Sequence, residues 1–139
     1  MKLAWIILLS WFPVSGFSHA ILVDAQPAQN AKLAQPPEKV TLRFDAPVGK
    51  RYLALAVVNA KRQRVDQGDA ALDLLDGSIV KASLKQPLSP GEYVVRYRVQ
   101  SADTHIVTGS YRFTVLGETS AQTDTPSWLD RLLNWLLSR

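Results

Sequence analysis

The sequence predicts an all-β, antiparallel β-sandwich followed by a short amphipathic helix. Three observations lead there. Apolar and polar residues alternate over short stretches, as in "KVTLRF" (39–44), where Val40, Leu42 and Phe44 share one face and Lys39, Thr41 and Arg43 the other. Turn residues separate these stretches at regular, short intervals. No long helical pattern interrupts them within the body of the chain, so the apolar faces must be buried sheet against sheet.

The elements follow in order. Lys2 supplies a short positive start, and "LAWIILLSWFPV" (3–14) is an apolar run of signal-peptide length, too short to span a bilayer comfortably. Small residues come next. A cleaved secretory signal is therefore expected, with export to the periplasm and an uncleaved N-terminal anchor as the alternative; the lack of cysteine fits that compartment. Local rules leave the cut open. Cleavage after Ser18 makes His19 the first residue, cleavage after Gly16 makes it the third, and cleavage after Ala20 removes it.

"AILVDA" (20–25) is a short apolar segment, and the proline-bearing "QPAQNAKLAQPPE" (26–38) reads as an irregular connection. "RYLALAVVNA" (51–60) is a denser, more buried strand. "RVDQGDAALDLLDGS" (64–78) is turn material with a tight turn at Asp76-Gly77, and "SIVKASL" (78–84) alternates again. "QPLSPGE" (86–92) is a turn. "YVVRYRVQ" (93–100) and "VTGSYRFTVL" (107–116) are the last strands, with "SADTHI" (101–106) between them. Phe44, Tyr93, Tyr97, Tyr111 and Phe113 fall on strand patterns and are assigned to the core. Tyr93, just after "LSPGE", is placed for a tyrosine-corner-like contact. The domain thus covers 19–117, a polar linker 118–126, and a helix 127–139. Ser127 and Asp130 supply a variant capping box for that helix, and Trp128, Leu129, Leu132, Leu133, Trp135, Leu136 and Leu137 form a broad apolar face. About twelve helical residues reach ~18 Å, short of a ~30 Å hydrocarbon core. The helix either packs on its own sandwich or lies on a membrane surface or a membrane partner.

Composition excludes several functions. With no cysteine there is no disulfide, no zinc-finger-type site and no thiol nucleophile. The formal charge of +4 is mild, and its only basic run, "KRQR" (61–64), reads as a solvated loop rather than a nucleic-acid patch. No G-x-S-x-G motif or convincing acid pair supports hydrolysis.

The chemistry gathers on the two histidines, His19 and His105. Asp103 stands two residues before His105; in an extended segment both side chains leave the same face. If His19 is the mature N-terminus, its α-amine and ring Nδ1 close a chelate ring on one metal ion. Adding the second imidazole and the carboxylate gives an N3O set, which suits Cu(II). Sulfur ligands for Cu(I) are missing, since the one methionine is Met1.

These residues resemble the CopC-type periplasmic copper-binding proteins. "HAILVDAQPAQNAKLAQPPEKVTLRFDAPV" is similar to their N-terminal half: His-Ala, a Pro-Ala turn, a proline-rich connection, and an L-x-F strand followed by an acidic residue. "LSPGEYVVRYRVQSADTHIVTGSYRFTV" is similar to their C-terminal half, with L-x-x-G-x-Y, S-x-D-x-H and G-x-x-x-F-x-V in order. The resemblance implies an Ig-like or cupredoxin-like Greek-key sandwich that is not an enzyme. It implies a mature chain that begins at His19, and Cu(II) ligands at His19, Asp103 and His105. Asp45, the acidic residue after the L-x-F strand, is implied near the metal, orienting a histidine or tempering the ion's charge. The implied role is copper homeostasis or resistance: buffering copper, or delivering it to a CopD-type inner-membrane transport protein. Two positions depart from the family pattern: Thr104 stands where glycine is usual, and Tyr97 where tryptophan is common. The methionine-rich segment of some relatives is absent, as expected for a Cu(II)-only member. Two alternatives remain at this stage. A metal-free sandwich would hold the two histidines far apart, and a histidine-brace copper oxidase would leave open positions for oxygen at a three-nitrogen site.

Overall fold

The computed structural model describes residues 19–117 and Trp135. The expected signal segment, the linker and the rest of the C-terminal helix lie outside these residues; Trp135 is helical and exposed.

Eight strands form two facing sheets: β1 (Leu22–Gln26), β2 (Lys32–Leu33), β3 (Lys39–Phe44), β4 (Gly49–Asn59), β5 (Ala71–Leu72), β6 (Ile79–Ser83), β7 (Gly91–Gln100) and β8 (Ile106–Val115). One sheet runs β1-β3-β6-β5 and the other β2-β8-β7-β4. Only β5–β6 and β7–β8 are sequential neighbours in one sheet; the remaining connections cross between sheets, giving the expected Greek-key sandwich. Two small strands escaped the sequence reading. Within the proline-bearing connection, Lys32 and Leu33 pair in parallel with Thr114 and Val115, the one parallel pairing among the described residues. In the turn material, Ala71 and Leu72 pair with Lys81 and Val80.

Alternation builds the core. Val40, Leu42 and Phe44 of β3 meet Leu55 and Val57 of β4, Val95 and Val99 of β7, and Phe113 of β8, all essentially inaccessible to solvent. Phe44, Tyr93, Tyr111 and Phe113 are buried as assigned, while Tyr97 is half-buried. The Tyr93 hydroxyl donates to the Ser89 carbonyl at 2.6 Å, completing the tyrosine-corner contact. The buried Asp66 accepts hydrogen bonds from the Val57 (2.9 Å) and Gly68 (3.1 Å) amides and from Arg64, so its charge is compensated.

Gly109 allows a close approach that no other residue permits. It pairs with Tyr97, whose ring covers it; a Cβ there would lie 2.2 Å from the phenol oxygen and 2.3 Å from Cζ. The same ring stands edge-on to Phe44 with centroids 5.6 Å apart, so it cannot swing away without disturbing the core. Gly109→Ala is expected to destabilise the domain by about 1–3 kcal/mol. Each kcal/mol should lower Tm by roughly 4–8 °C for a domain of this size. An unchanged melting curve would contradict this packing argument.

The topology also sets up one functional end. Strands β1, β4, β6 and β8 begin there and β3, β5 and β7 finish there. Four segments therefore meet at that end: 19–21, 45–48, 73–78 and 101–105.

Candidate metal centre

Strands β7 and β8 form one long hairpin, paired from Gly91–Val115 to Gln100–Ile106, and residues 101–105 close it. Inside the closing loop the Thr104 amide donates to the Ser101 carbonyl (2.9 Å), and the Ser101 amide donates to the His105 carbonyl (2.9 Å). Thr104 has φ = 71°, the left-handed region that a short hairpin loop of this kind demands after its turn. Glycine meets that demand without strain; a β-branched residue does not. The expectation of an extended D-x-H segment is thereby corrected. Asp103 and His105 converge because the backbone turns left-handed between them, not because a pleat repeats.

Ser101, buried at 4% exposure, donates its hydroxyl to Asp103 Oδ1. The other oxygen, Oδ2, then faces both rings: it lies 2.9 Å from His105 Nδ1 and 3.9 Å from His19 Nδ1. The Asp103 carboxyl is pulled down to about 2, first by the Ser101 hydroxyl and then, against the opposing effect of burial, by the His105 ring and amide. Its side chain is only 5% exposed, whereas the histidine side chains are 61% and 63% exposed. An ionised carboxylate thus sits beneath two accessible imidazoles.

His19 arrives from the other side of the sandwich. Ala20 is buried in the core, and Ile21 is gripped by Asp45. The Ile21 amide donates to Asp45 Oδ1 (2.8 Å), and the Asp45 amide donates to the Ile21 carbonyl (3.0 Å). His19 and His105 stack with ring centroids 5.0 Å apart and planes at 28°. A metal-free sandwich with unrelated histidines does not predict that contact.

Among the described residues, His19, Asp103 and His105 form the group whose donor atoms all lie within 4.8 Å of one another. Bonds of ~2 Å to one ion set neighbouring donors ~2.8 Å apart and opposed donors ~4 Å apart. The cluster meets those spans with small side-chain rotations, so its residues fit a metal. Asp45, by contrast, accepts the Ile21 amide through Oδ1, two residues from His19, and so is placed to act on His19 through the backbone. Asp45→Ala should therefore loosen the placement of His19 and change metal affinity or exchange rate, while leaving the number of nitrogen donors in a Cu(II) EPR spectrum unchanged. Loss of a nitrogen would mean that Asp45 acts on a ring directly. Sequence reasoning missed Ser101 as the residue that orients Asp103, although its place in S-x-D-x-H was the available signal.

A sandwich that gathers two imidazoles and one carboxylate at a single end has the design of a metal-binding module. Comparison with known proteins makes the class specific: the CopC domain matches residues 22–116, and the chain belongs to the CopC family. The crystal structure of CopC from Methylosinus trichosporium OB3b is similar at a TM-score of 0.65 and 35% identity, over 70% of this chain and 94% of that one. The crystal structure of PcoC, a methionine-rich copper resistance protein from Escherichia coli, is similar at a TM-score of 0.60 and 28% identity, over 70% of this chain and 99% of that one. The copper transport protein CutJ of Bacillus subtilis (strain 168) is 31% identical across 80% of this chain, which spans only 21% of that protein's length. Protein YobA of Escherichia coli (strain K12) is 29% identical over 79% of this chain and 89% of its own. As a CopC protein the chain is a binding protein and not an enzyme.

Proposed function

We propose that the chain is a periplasmic Cu(II)-binding protein of copper homeostasis or resistance. It takes one ion through His19, Asp103 and His105, and buffers it or passes it to a CopD-type inner-membrane transport protein. The observation that carries the reading is the convergence of two imidazoles and an ionised carboxylate, with donor atoms within 4.8 Å, at one end of a CopC fold. In the exported chain, cut after Ser18, the α-amine of His19 adds a third nitrogen. Nitrogen and carboxylate donors favour Cu(II), and the chain offers no sulfur beyond Met1, in contrast to the methionine-rich PcoC. Asp103 adds an oxygen donor where an oxygen-activating copper site keeps an open position.

Mass measurement of the exported protein with and without Cu(II) tests this directly. The expected result is a chain beginning at His19 that gains one copper ion. A chain beginning at Ile21 with undiminished copper binding would overturn it.

Acid should release the ion by protonating nitrogen. Metal binding displaces protons from imidazoles and α-amines, which ordinarily titrate near ~6.5 and ~8. Asp103, held at about 2, keeps its charge across that range and adds nothing to the slope. Copper affinity should therefore fall steeply as pH drops from about 8 to about 5. A flat affinity in competition titrations over that interval would remove these nitrogens from the donor set.

A further inference from the structure

Leu74 and Leu75 are exposed at 100% and 98%, yet the loop that carries them is firmly built. Asp73 Oδ1 accepts from the Leu75 amide (2.9 Å) and the Asp76 amide (3.2 Å), and its other oxygen pairs with Lys81. On the far side Asp76 accepts from the Ser78 amide (2.9 Å) and hydroxyl (2.6 Å). The two leucines are thus held outward as a rigid tip. They stand at the same end of the sandwich as the histidine cluster, because the loop docks on 44–48 through Val48 to Gly77 and Phe44 to Ser78 hydrogen bonds.

The tip has a basic, aromatic neighbour. Lys50 and Leu53 line one cavity with Leu72, Leu74 and Leu75. Along β4, Gly49 pairs with Gln100 and Ala54 with Arg98, so the four residues Lys50–Leu53 bulge opposite Val99 alone. Within the bulge Tyr52 has φ = 63°, a strained conformation for an aromatic residue, and its ring lies under two guanidiniums, Arg51 at 5.1 Å and Arg98 at 5.4 Å. Of the acids at this end, Asp73 is paired with Lys81 and Asp76 lies in the field of Arg43, while Asp45 is bonded to the neutral Ile21 amide and Asp103 to Ser101 and His105, so the three cations Lys50, Arg51 and Arg98 face two carboxylates without a lysine or arginine partner. Ile21 and Ile106, also exposed, flank the cluster at this end.

We propose that this end of the domain docks on an anionic lipid surface, with Leu74 and Leu75 in the hydrocarbon boundary and Lys50, Arg51 and Arg98 on lipid phosphates. Leucines exposed on all sides fit a fluid apolar medium better than a flat complementary protein face. Cations and a tyrosine around an apolar tip are the composition of an interfacial anchor. This inference is independent of copper and of residues 127–139, and it turns the histidine cluster toward the membrane plane.

The absence of cysteine permits a clean test. The copper-free chain from His19 to Arg139 is labelled with an environment-sensitive fluorophore at Leu74→Cys, or at Ser89→Cys at the opposite end as a control. Each is mixed with phosphatidylglycerol-containing vesicles or with neutral phosphatidylcholine vesicles. The label at position 74 should shift to the blue and become shielded from iodide on anionic vesicles only, and the label at 89 should not respond. Unlabelled Leu74→Ser/Leu75→Ser, which alters no buried atom, should partition about tenfold less. An unresponsive label at 74 on a chain that still sediments with vesicles would assign membrane binding to 127–139 alone and overturn the proposal. Equal binding to neutral vesicles, or no sedimentation at all, would overturn it as well.

Discussion

A chain acetylated on the α-amine of His19 is expected to bind Cu(II) at least about a hundredfold more weakly than the chain that starts at His19 with that amine free. The reason is the chelate ring. An N-terminal histidine presents its amine and its Nδ1 on one residue, so once one nitrogen binds, the other is held beside the ion at high effective concentration. Acetylation turns the amine into an amide, which keeps its proton and does not chelate at neutral pH when no terminal amine stands beside it, and it leaves His19 with its ring alone. The fold should not notice. Ala20 stays in the core, Ile21 keeps both hydrogen bonds to Asp45, and the imidazole of His19 is exposed. Competition titrations of the two chains, each with the same melting temperature, make the comparison. Equal affinities would remove the amine from the donor set and leave a weaker three-residue site.

The parts of the fold that were legible in the sequence are those with a repeating physical cause. Strands β3, β6, β7 and β8 alternate because one face is buried, and the structure has them within a residue or two of the expected bounds. Strands β2 and β5 are two residues each; their pairing is dictated by the neighbouring strand and leaves no periodicity to read. The site divides in the same way. Asp103 and His105 could be paired from spacing alone, but the reason offered, an extended segment, was not the one at work. A threonine at φ = 71° is too rare to be expected, and the hydrogen bonds that hold it there come from the closing hairpin. The meeting of His19 with His105 depends on tertiary packing across the sandwich, and only the family resemblance anticipated it. Asp45 was expected near the metal, orienting a histidine or tempering the ion's charge; its bond to the Ile21 amide, two residues from His19, is a contact with no sequence signature. Leu74 and Leu75 read as turn material; that they are held fully outward follows from Asp73 and Asp76, whose side chains bond amides within their own loop.

His105→Ala and Asp103→Asn should separate the nitrogen and oxygen contributions to the centre. The His105 side chain is 63% exposed, so its removal leaves the β7–β8 hairpin intact and the Ser101 contact to Asp103 in place. Cu(II) affinity is then expected to fall by about a hundredfold or more, since altering groups that merely support a ligand already costs 10–100-fold. The Cu(II) EPR spectrum should lose one nitrogen. Asp103→Asn keeps the side chain's shape and an oxygen that accepts from Ser101, but it removes the charge that lies between the rings. Its spectrum should keep every nitrogen and shift as an anionic oxygen donor is lost, with a weaker fall in affinity than His105→Ala. The Asp103 carboxyl, at about 2, is already ionised near pH 7 and itself contributes no proton to those released on binding. In His105→Ala the released protons should decrease as an imidazole is withdrawn. If His105→Ala left the nitrogen count intact, the second imidazole would not be a ligand, and the stacked pair would hold copper through His19 alone.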